Sequence, residues 1–465
     1  MANEQHLKLL WQKVERWNEW RQENPDIVPD LSRANLEHIN LSRANLTKAD
    51  LSGADLSQSC AIAANFKGAN LSGARLNKAD LTKANLERTD LSKADLRGAN
   101  LTRANLTTAK LIEVNLNGAD LREAKLNSVI LVRASLNKTS LCQAKLRAAN
   151  LRGSKLSRAK LIGADLKEAN LNGVSLIEAD LSGANLWQAN LNRTSLIEAD
   201  LRGANLWRAK LVEADLRAVK LWRAKLIEAD LRGACLSIAD LRAVNLRGAR
   251  LGQADLRGAN LNNASLERAN LTGASLSGAK ALSTNFDRAI FTATCLEDWQ
   301  INNETNLSGI ICEYFYFKSD RQKRCPEDRD RNLLAGEFAK ILQNKKQTVN
   351  LVFQDKIDWQ IFLSAFWQLQ LETGRRDLEI QAIENESEAT IIIRLKVPSQ
   401  LLEKNIQQIL EQKYYNLIKT KDSQRLVYDR SLESSRQENI KIMKIIEIMA
   451  EKDKLENLTP KMKLA

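Results

Sequence analysis

A mainly β solenoid is the fold class this sequence predicts, and three observations predict it. Leucine falls on every fifth residue from Leu31 to Leu276, in 48 of 50 positions, with Ala61 and Phe66 the exceptions. Two residues before each leucine sits a small residue, mostly alanine as at Ala34, Ala44, Ala49 and Ala54, with Asn, Asp or Lys usually between them. None of the five prolines lies between Pro29 and Pro326, so more than half the chain runs without the usual loop punctuation.

A five-residue period fits neither regular element. On an α-helix, at about 100° per residue, each leucine turns about 140° past the last and no apolar stripe forms. On a flat strand an odd period sends successive leucines to opposite faces, while the alanine and leucine two apart share one. A short extended step pointing Ala and Leu inward, followed by a two-residue bend, satisfies both constraints and coils the chain round its own apolar core. The number of pentads per coil stays open on spacing alone. Glycines two places after the leucine pair at a lag of 20 six times, as in Gly53 with Gly73 and Gly183 with Gly203, against three times at a lag of 15. Trp187 and Trp207 favour 20, and Trp207 and Trp222 favour 15.

The pentad Ala-Asn/Asp-Leu-x-x, in register from Leu31 to about Ile301, resembles the motif of the pentapeptide-repeat family. The resemblance implies a right-handed quadrilateral β-helix with four pentads per coil, which selects the lag of 20. At a strand spacing of about 4.8 Å, some 13 to 14 coils would stack to roughly 65 Å. Ala61, Phe66, Ala281, Phe286 and Phe291 depart from leucine and are expected to mark bulges or the tapering ends.

The remaining segments flank this rod, beginning with a lead-in over 1–30. Asn3 is placed to cap a single helix from Glu4 to about Glu23, with Leu7, Leu10, Trp11, Val14, Trp17 and Trp20 on one face and Asn24-Pro25 ending it. An open β-helix end leaves strand edges unpaired, so this helix is expected to cover the first coil. Trp17-Asn18-x-Trp20-Arg21 with Asn24-Pro25 is similar to the lead-in of many cyanobacterial members of the family. The repeats occupy 31–301. An irregular cap or linker over 302–334 holds a last out-of-phase repeat at Leu307-Ser308-Gly309-Ile310 and the β-prone run Glu313 to Phe317. A small α/β domain over 335–398 is predicted from a helix at Gly336-Glu337-Phe338, a strand at Val349 to Phe353, and a helix opened by Ile357-Asp358-Trp359. A hairpin of Leu378 to Ile383 and Thr390 to Val397 round the turn Asn385-Glu386-Ser387 completes it. A long helical tail over 399–465 carries Leu402, Ile406, Ile409, Leu410 and Leu417, then Ile442, Ile445, Ile446 and Met449 on a stripe. Its middle is broken by Lys421, Gln424, Ser431 and Ser435, so the tail is a coiled-coil and homodimer candidate that could equally fold back. This C-terminal third resembles an extension of some cyanobacterial family members.

Composition argues against chemistry. Two histidines, His6 and His38, cannot assemble a histidine triad or two-histidine metal site. Cys60, Cys142, Cys235, Cys295, Cys312 and Cys325 include no Cys-x-x-Cys pair, and reduced thiols are expected. The glycines belong to repeat corners and form no phosphate loop. Carboxylates such as Glu198 and Asp200 recur by the period, so their proximity carries no catalytic meaning. The only enzyme candidates are Asp355, Asp358, Glu384 and Glu386, which read better as turn and cap residues. No catalytic residue, cofactor or metal is called for. With mean hydropathy −0.37 and no uninterrupted apolar run of about 18 residues, no membrane span is predicted. The charged opening segment lacks a secretory pattern, so a cytoplasmic location is expected.

What remains is the surface. Of a net charge of +13, the stretch 31–300 contributes 39 Lys and Arg against 26 Asp and Glu. With 20-residue coils, the side centred on Leu46, Phe66 and Leu86 sums to about +6, and the one centred on Leu36, Leu56 and Leu76 to about −1. The basic side gathers Lys125, Lys145, Arg147, Arg208, Lys225 and Arg247 with an apolar row of Trp187, Trp207 and Ile227. Basic groups beside exposed aromatics fit a binding face, although such rows also stabilise stacked coils. The sequence therefore predicts a non-enzymatic scaffold offering this face to a protein partner. Nucleic-acid binding through arrayed cations is the alternative. Inhibition of gyrase by mimicking DNA, which the resemblance brings to mind, requires an acidic rod and is disfavoured.

Overall fold

The computed structural model describes residues 2–319, 322–346, 348–353, 357–373, 378–387, 390–396 and 406–420. The chain divides into two compact units, Met1–Leu342 and Gln343–Ala465.

In the first unit every pentad from Asp30 to Lys280 closes on the one 20 residues later. Parallel bridges run Asn45 to Asn65 to Asn85, Asp50 to Asn70 to Asp90, Asp55 to Arg75 to Asp95, and Cys60 to Asp80 to Asn100. These four ladders define four sides, called first to fourth in that order, so a coil holds four pentads. Leu46 and Leu51 are fully buried, as are the alanines two residues before them.

The hydrogen bonds explain the pentad letter by letter. The leucine N–H donates to the next coil (Leu46 N to the Asn65 carbonyl, 2.7 Å), as does the second turn residue (Lys48 to Lys67, 2.9 Å). The ladder residue donates to the coil below (Asn65 N to the Ala44 carbonyl, 2.9 Å), and the alanine N–H closes its own turn (Ala49 to Leu46, 3.1 Å). One N–H per pentad is left, that of the residue after the leucine. A ladder Asn or Asp accepts it through Oδ1, as Asn70 does from Ser72 at 3.2 Å and Asp90 from Ser92 at 2.9 Å. This is why Asn and Asp precede the leucine. The second turn residue lies at positive φ throughout, which suits Gly53 (φ 66) and burdens β-branched Ile238 (φ 53).

The departures from leucine resolve into two cases. Ala61 and Phe66 make no bulge: Cys60 bridges Asp80 and Asn65 bridges Asn85 in normal register, and a small residue beside a large one keeps the core filled. The later departures do mark an end. Phe286 and Phe291 meet at 5.2 Å, and Trp299 lies 6.0 Å from each. Coiling also continues past 301, with one inserted residue: Asn285 bridges Asn306 and Ile290 bridges Ile311. Strand β1 (Thr294–Cys295) then pairs in parallel with β2 (Phe315–Lys318), which forms an antiparallel hairpin with β3 (Gln322–Cys325). Phe338, on helix α3 (Glu337–Lys346), closes the end 5.2 Å from both Phe291 and Phe315. The division between units therefore falls within α3, after Leu342, where the sequence placed a boundary at 335.

At the opposite end the single helix expected from Glu4 to Glu23 is two helices, α1 (Glu4–Gln12) and α2 (Val14–Glu23), broken at extended Lys13. Asn3 caps α1, accepting from Gln5 and His6, and the Asn24 N–H closes α2 on the Trp20 carbonyl. Trp17 is fully buried, whereas Trp11, expected on the packed face, is 58% exposed. Side chains of these helices replace the hydrogen bonds of a missing coil. Asn18 Oδ1 accepts the Asn45 N–H at 2.8 Å, and Trp17 Nε1 donates to the Asn45 carbonyl at 2.9 Å. Arg21 donates to the Thr47 carbonyl at 3.1 Å, and His6 Nδ1 accepts the Asp30 N–H at 3.1 Å. The first edge is thus blunted against pairing with another chain.

The second unit contains strand β4 (Thr348–Phe353), helix α4 (Trp359–Thr373), strands β5 (Glu379–Ser387) and β6 (Thr390–Lys396), and helix α5 (Ile406–Thr420). The sheet order is β4-β6-β5, antiparallel throughout. Strand β5 runs through Asn385, Glu386 and Ser387, which the sequence placed in the turn, and Ser387 pairs with Thr390. Phe353, Phe362, Phe366, Leu395 and Tyr414 form a separate core. Ile406, Ile409, Leu410 and Leu417 lie on α5. Leu402, Lys421, Gln424, Ser431, Ser435, Ile442, Ile445, Ile446 and Met449 fall outside the described residues, and with them the coiled-coil expectation.

Candidate functional site: a basic and aromatic side of the rod

The first side carries all nine residues singled out by the sequence. Its ladder runs Asn105, Lys125, Lys145, Asp165, Asn185, Asn205, Lys225, Asn245. Beside it, the residues following each leucine make a second row: Arg147, Lys167, Trp187, Trp207, Ile227, Arg247. Arg208 occupies the turn position next to Trp207.

The row is apolar in its middle and cationic at both ends. Trp187 and Trp207 meet edge to face at 6.4 Å. Lys167 Nζ stands 4.1 Å from the Trp187 ring centre, and the Arg208 guanidinium 5.1 Å from that of Trp207. These contacts brace the rings and leave them partly shielded. Trp207 is 38% exposed, and Trp187 and Ile227 are half-buried. Sequence reasoning left Trp222 and Lys167 out of the site. Trp222, on the fourth side, is 39% exposed and lies 4.5 Å from Arg223. Its signal, an aromatic at the same turn position one pentad before Ile227, lies on neither of the two sides compared by charge.

The charges on this side are not equivalent. Arg208 pairs with Glu228 at 2.7 Å, Arg147 with Glu168 at 3.6 Å and Arg247 with Glu267 at 3.7 Å. Lys125, Lys145 and Lys225 are exposed and take part in no ion pair among the described residues. The same division holds along the rod. Arginines fold onto the aspartate two residues earlier, as Arg217 on Asp215, Arg232 on Asp230 and Arg242 on Asp240. Each bond from Arg holds its carboxyl below the usual aspartate range, against a smaller opposing effect of burial. The rod's unpaired positive charge is therefore largely lysine.

No catalytic constellation accompanies this face. Among the described residues no three His, Cys, Asp or Glu side chains are grouped to hold a metal, and no disulfide joins two of the six cysteines. Burial pushes the Cys312 thiol up to about 12, which makes it a poor nucleophile. Asp358 caps α4, accepting from Gln360 and Ile361. Glu384 and Glu386 lie on β5, and Asp355 lies outside the described residues. No described helix is long and apolar enough to cross a membrane.

Models of pentapeptide repeats match successive stretches of the chain from residue 30 to residue 298. The protein HetL, a pentapeptide repeat protein involved in heterocyst differentiation regulation in the cyanobacterium Nostoc, is 30% identical, over 56% of this chain and 92% of its own, with a TM-score of 0.18. Rfr23 of the cyanobacterium Cyanothece is 35% identical, over 24% of this chain and 59% of its own, with a TM-score of 0.12. QnrB1, a plasmid-mediated fluoroquinolone resistance protein, is 20% identical, over 37% of this chain and 89% of its own, with a TM-score of 0.34. No curated protein matches the chain significantly. The repeats of this family wind as a right-handed β-helix.

Proposed function

The chain belongs to the pentapeptide-repeat family, at a coarse level one of protein-interaction scaffolds, and from that premise we propose that it is a non-enzymatic scaffold whose first side receives a protein partner. The observation that carries the reading is the row Lys167, Trp187, Trp207, Ile227, in which apolar groups stay partly exposed although cations and neighbouring rings brace them. A rigid, half-desolvated aromatic strip loses little entropy when it is covered, which is what an interface centre needs. Lys125, Lys145, Lys225 and the partly paired Arg147, Arg208 and Arg247 surround the strip and favour an acidic rim on the partner. Nucleic acid is the weaker reading for this side, because its arginines already face glutamates.

The C-terminal unit would add a second contact or a dimer contact, and a cytoplasmic location remains part of the proposal. Replacing Trp187 and Trp207 together by Ser in the full chain tests the face. Partners retained by the wild type should be lost while circular dichroism is unchanged. Partners retained equally by the variant would remove the face from the account.

A further inference from the structure

The four sides do not break the hydrogen-bond rule of the pentad at random. In residues 81–120 seven of the eight ladder positions are Asn or Asp, the residues whose side chains accept the leftover turn N–H. In residues 121–160 only Asn150 is, and four of the others are Lys125, Lys145, Lys155 and Lys160. Lysine has no acceptor; after Lys145 and Lys155 the turn N–H turns instead to Asn127 and Asn137 one coil below, at 3.2 and 3.1 Å, whereas Lys125 and Lys160 give up the cap that Asn would supply. Two of them, Lys125 and Lys145, are direct ladder neighbours, which sets like charges side by side. Local rules broken together in one place, without a structural gain, mark a site selected for something else.

What these two coils concentrate is unpaired positive charge. They hold ten Lys and Arg and a single acid, Glu123, which is engaged by Arg103 at 2.8 Å. Arg122, Arg133, Arg147 and Arg158 each face a carboxylate outside the segment. Six cations remain exposed and in no ion pair among the described residues: Lys125 and Lys145 on the first side, Arg152 on the second, Lys138 and Lys155 on the third, and Lys160 on the fourth. The charge therefore encircles the rod instead of lining one side.

We infer that coils 121–160 form a belt that binds a flexible phosphate polymer wrapped round the rod. A folded partner reaches one side of such a rod, or two at a corner, and leaves the rest of the belt unused. A chain of phosphates can bend round all four. The segment contains no Phe, Trp or Tyr on which bases could stack, so recognition rests on backbone charge alone. The shared chemistry is a linear array of phosphate anions, whether a phosphoanhydride chain or a single-stranded nucleic-acid backbone.

The test uses the full chain, fluorescently labelled inorganic polyphosphate and a labelled single-stranded oligonucleotide, with anisotropy read at 50 and 200 mM salt. Six neutralised phosphates give a log-log salt slope of about −4, a loss on the order of 300-fold over that range. Changing Lys125, Lys145, Lys155 and Lys160 together to Asn should weaken binding at low salt at least tenfold and flatten the slope to about −1.4. The melting temperature should hold or rise, since Asn at 125 and 160 restores a turn acceptor and the turns after 145 and 155 are already capped. If it falls, Gln at the same four positions removes charge alone and gives the same reading. Binding by one polymer or both supports the belt and identifies the source of the phosphate. Absence of salt-sensitive binding to either, or unchanged affinity in a folded variant, overturns it. Trp187→Ser with Trp207→Ser should leave polymer binding intact, so failure of the scaffold reading and failure of the belt are separately visible.

Discussion

Removing Trp17 should expose the first coil and turn a covered end into an adhesive one. The indole is fully buried, packs 5.3 Å from Trp20 and donates to the Asn45 carbonyl, a group that would otherwise face the coil the chain does not have. Truncating a buried Trp to Ala costs about 3 to 5 kcal/mol. Trp17→Phe separates the contributions: it keeps most of the apolar area and loses the donor, at about 1 kcal/mol. In a stacked array each coil is stabilised mainly by its neighbours, so the loss should fray the N-terminal coils before the rest. Hydrogen exchange should show faster exchange at Leu31, Leu36 and Leu41 in Trp17→Ala while Leu186 and Leu191 stay protected. Sedimentation velocity should show concentration-dependent association. A Trp17→Ala protein that exchanges and sediments like the wild type would refute the idea that these side chains act as the missing coil.

Two further outcomes follow from the backbone and the ion pairs. Ile238 is β-branched, 67% exposed and held at φ 53, so Ile238→Gly should raise the stability of its coil by about 1 kcal/mol in chemical denaturation; a loss of that size would mean its contacts outweigh its strain. The carboxyls of Asp215, Asp230, Asp240 and Asp255 are held low chiefly by hydrogen bonds from Arg217, Arg232, Arg242 and Arg257, against the opposing effect of burial. Their contribution is complete above the unfolded aspartate value of about 3.9 and is lost as pH falls through the depressed values. Stability should accordingly stay flat through neutrality and decline only below about pH 4. Arg→Gln at the four partners should remove part of that acid-dependent decline, and a decline starting above pH 5 would point to other groups.

Much of the rod is legible because its core repeats a single local decision. Leu and Ala two apart must share an interior, and that constraint alone excludes helix and flat strand. The role of Asn or Asp before leucine is not legible without coordinates, since it depends on which N–H the coil-to-coil bonds leave over. The same holds for the N-terminal cap. Asn3 and Asn24-Pro25 announce their helix ends, but no glycine or proline announces the break at Lys13, which accompanies the placement of both His6 and Asn18 on the open edge. Phe338 reads as an ordinary helix residue until Phe291 and Phe315 are seen beneath it. On the surface, Trp187 and Trp207 could be aligned from the period, while the pairing of Arg208 and the sparing of Lys125 and Lys145 could not. Sequence spacing gives the ladder, but the reach of each side chain decides which charges cancel.

One side of the rod, centred on the tryptophan row, is the proposed partner surface. A photo-crosslinking residue placed at Trp207, and in a second protein at Arg217 on the third side of the same coil, addresses it directly. Crosslinks to one partner from position 207, lost when that partner's acidic residues are neutralised and absent from position 217, are the predicted result. Equal crosslinking from both positions, or from 217 alone, would contradict the account.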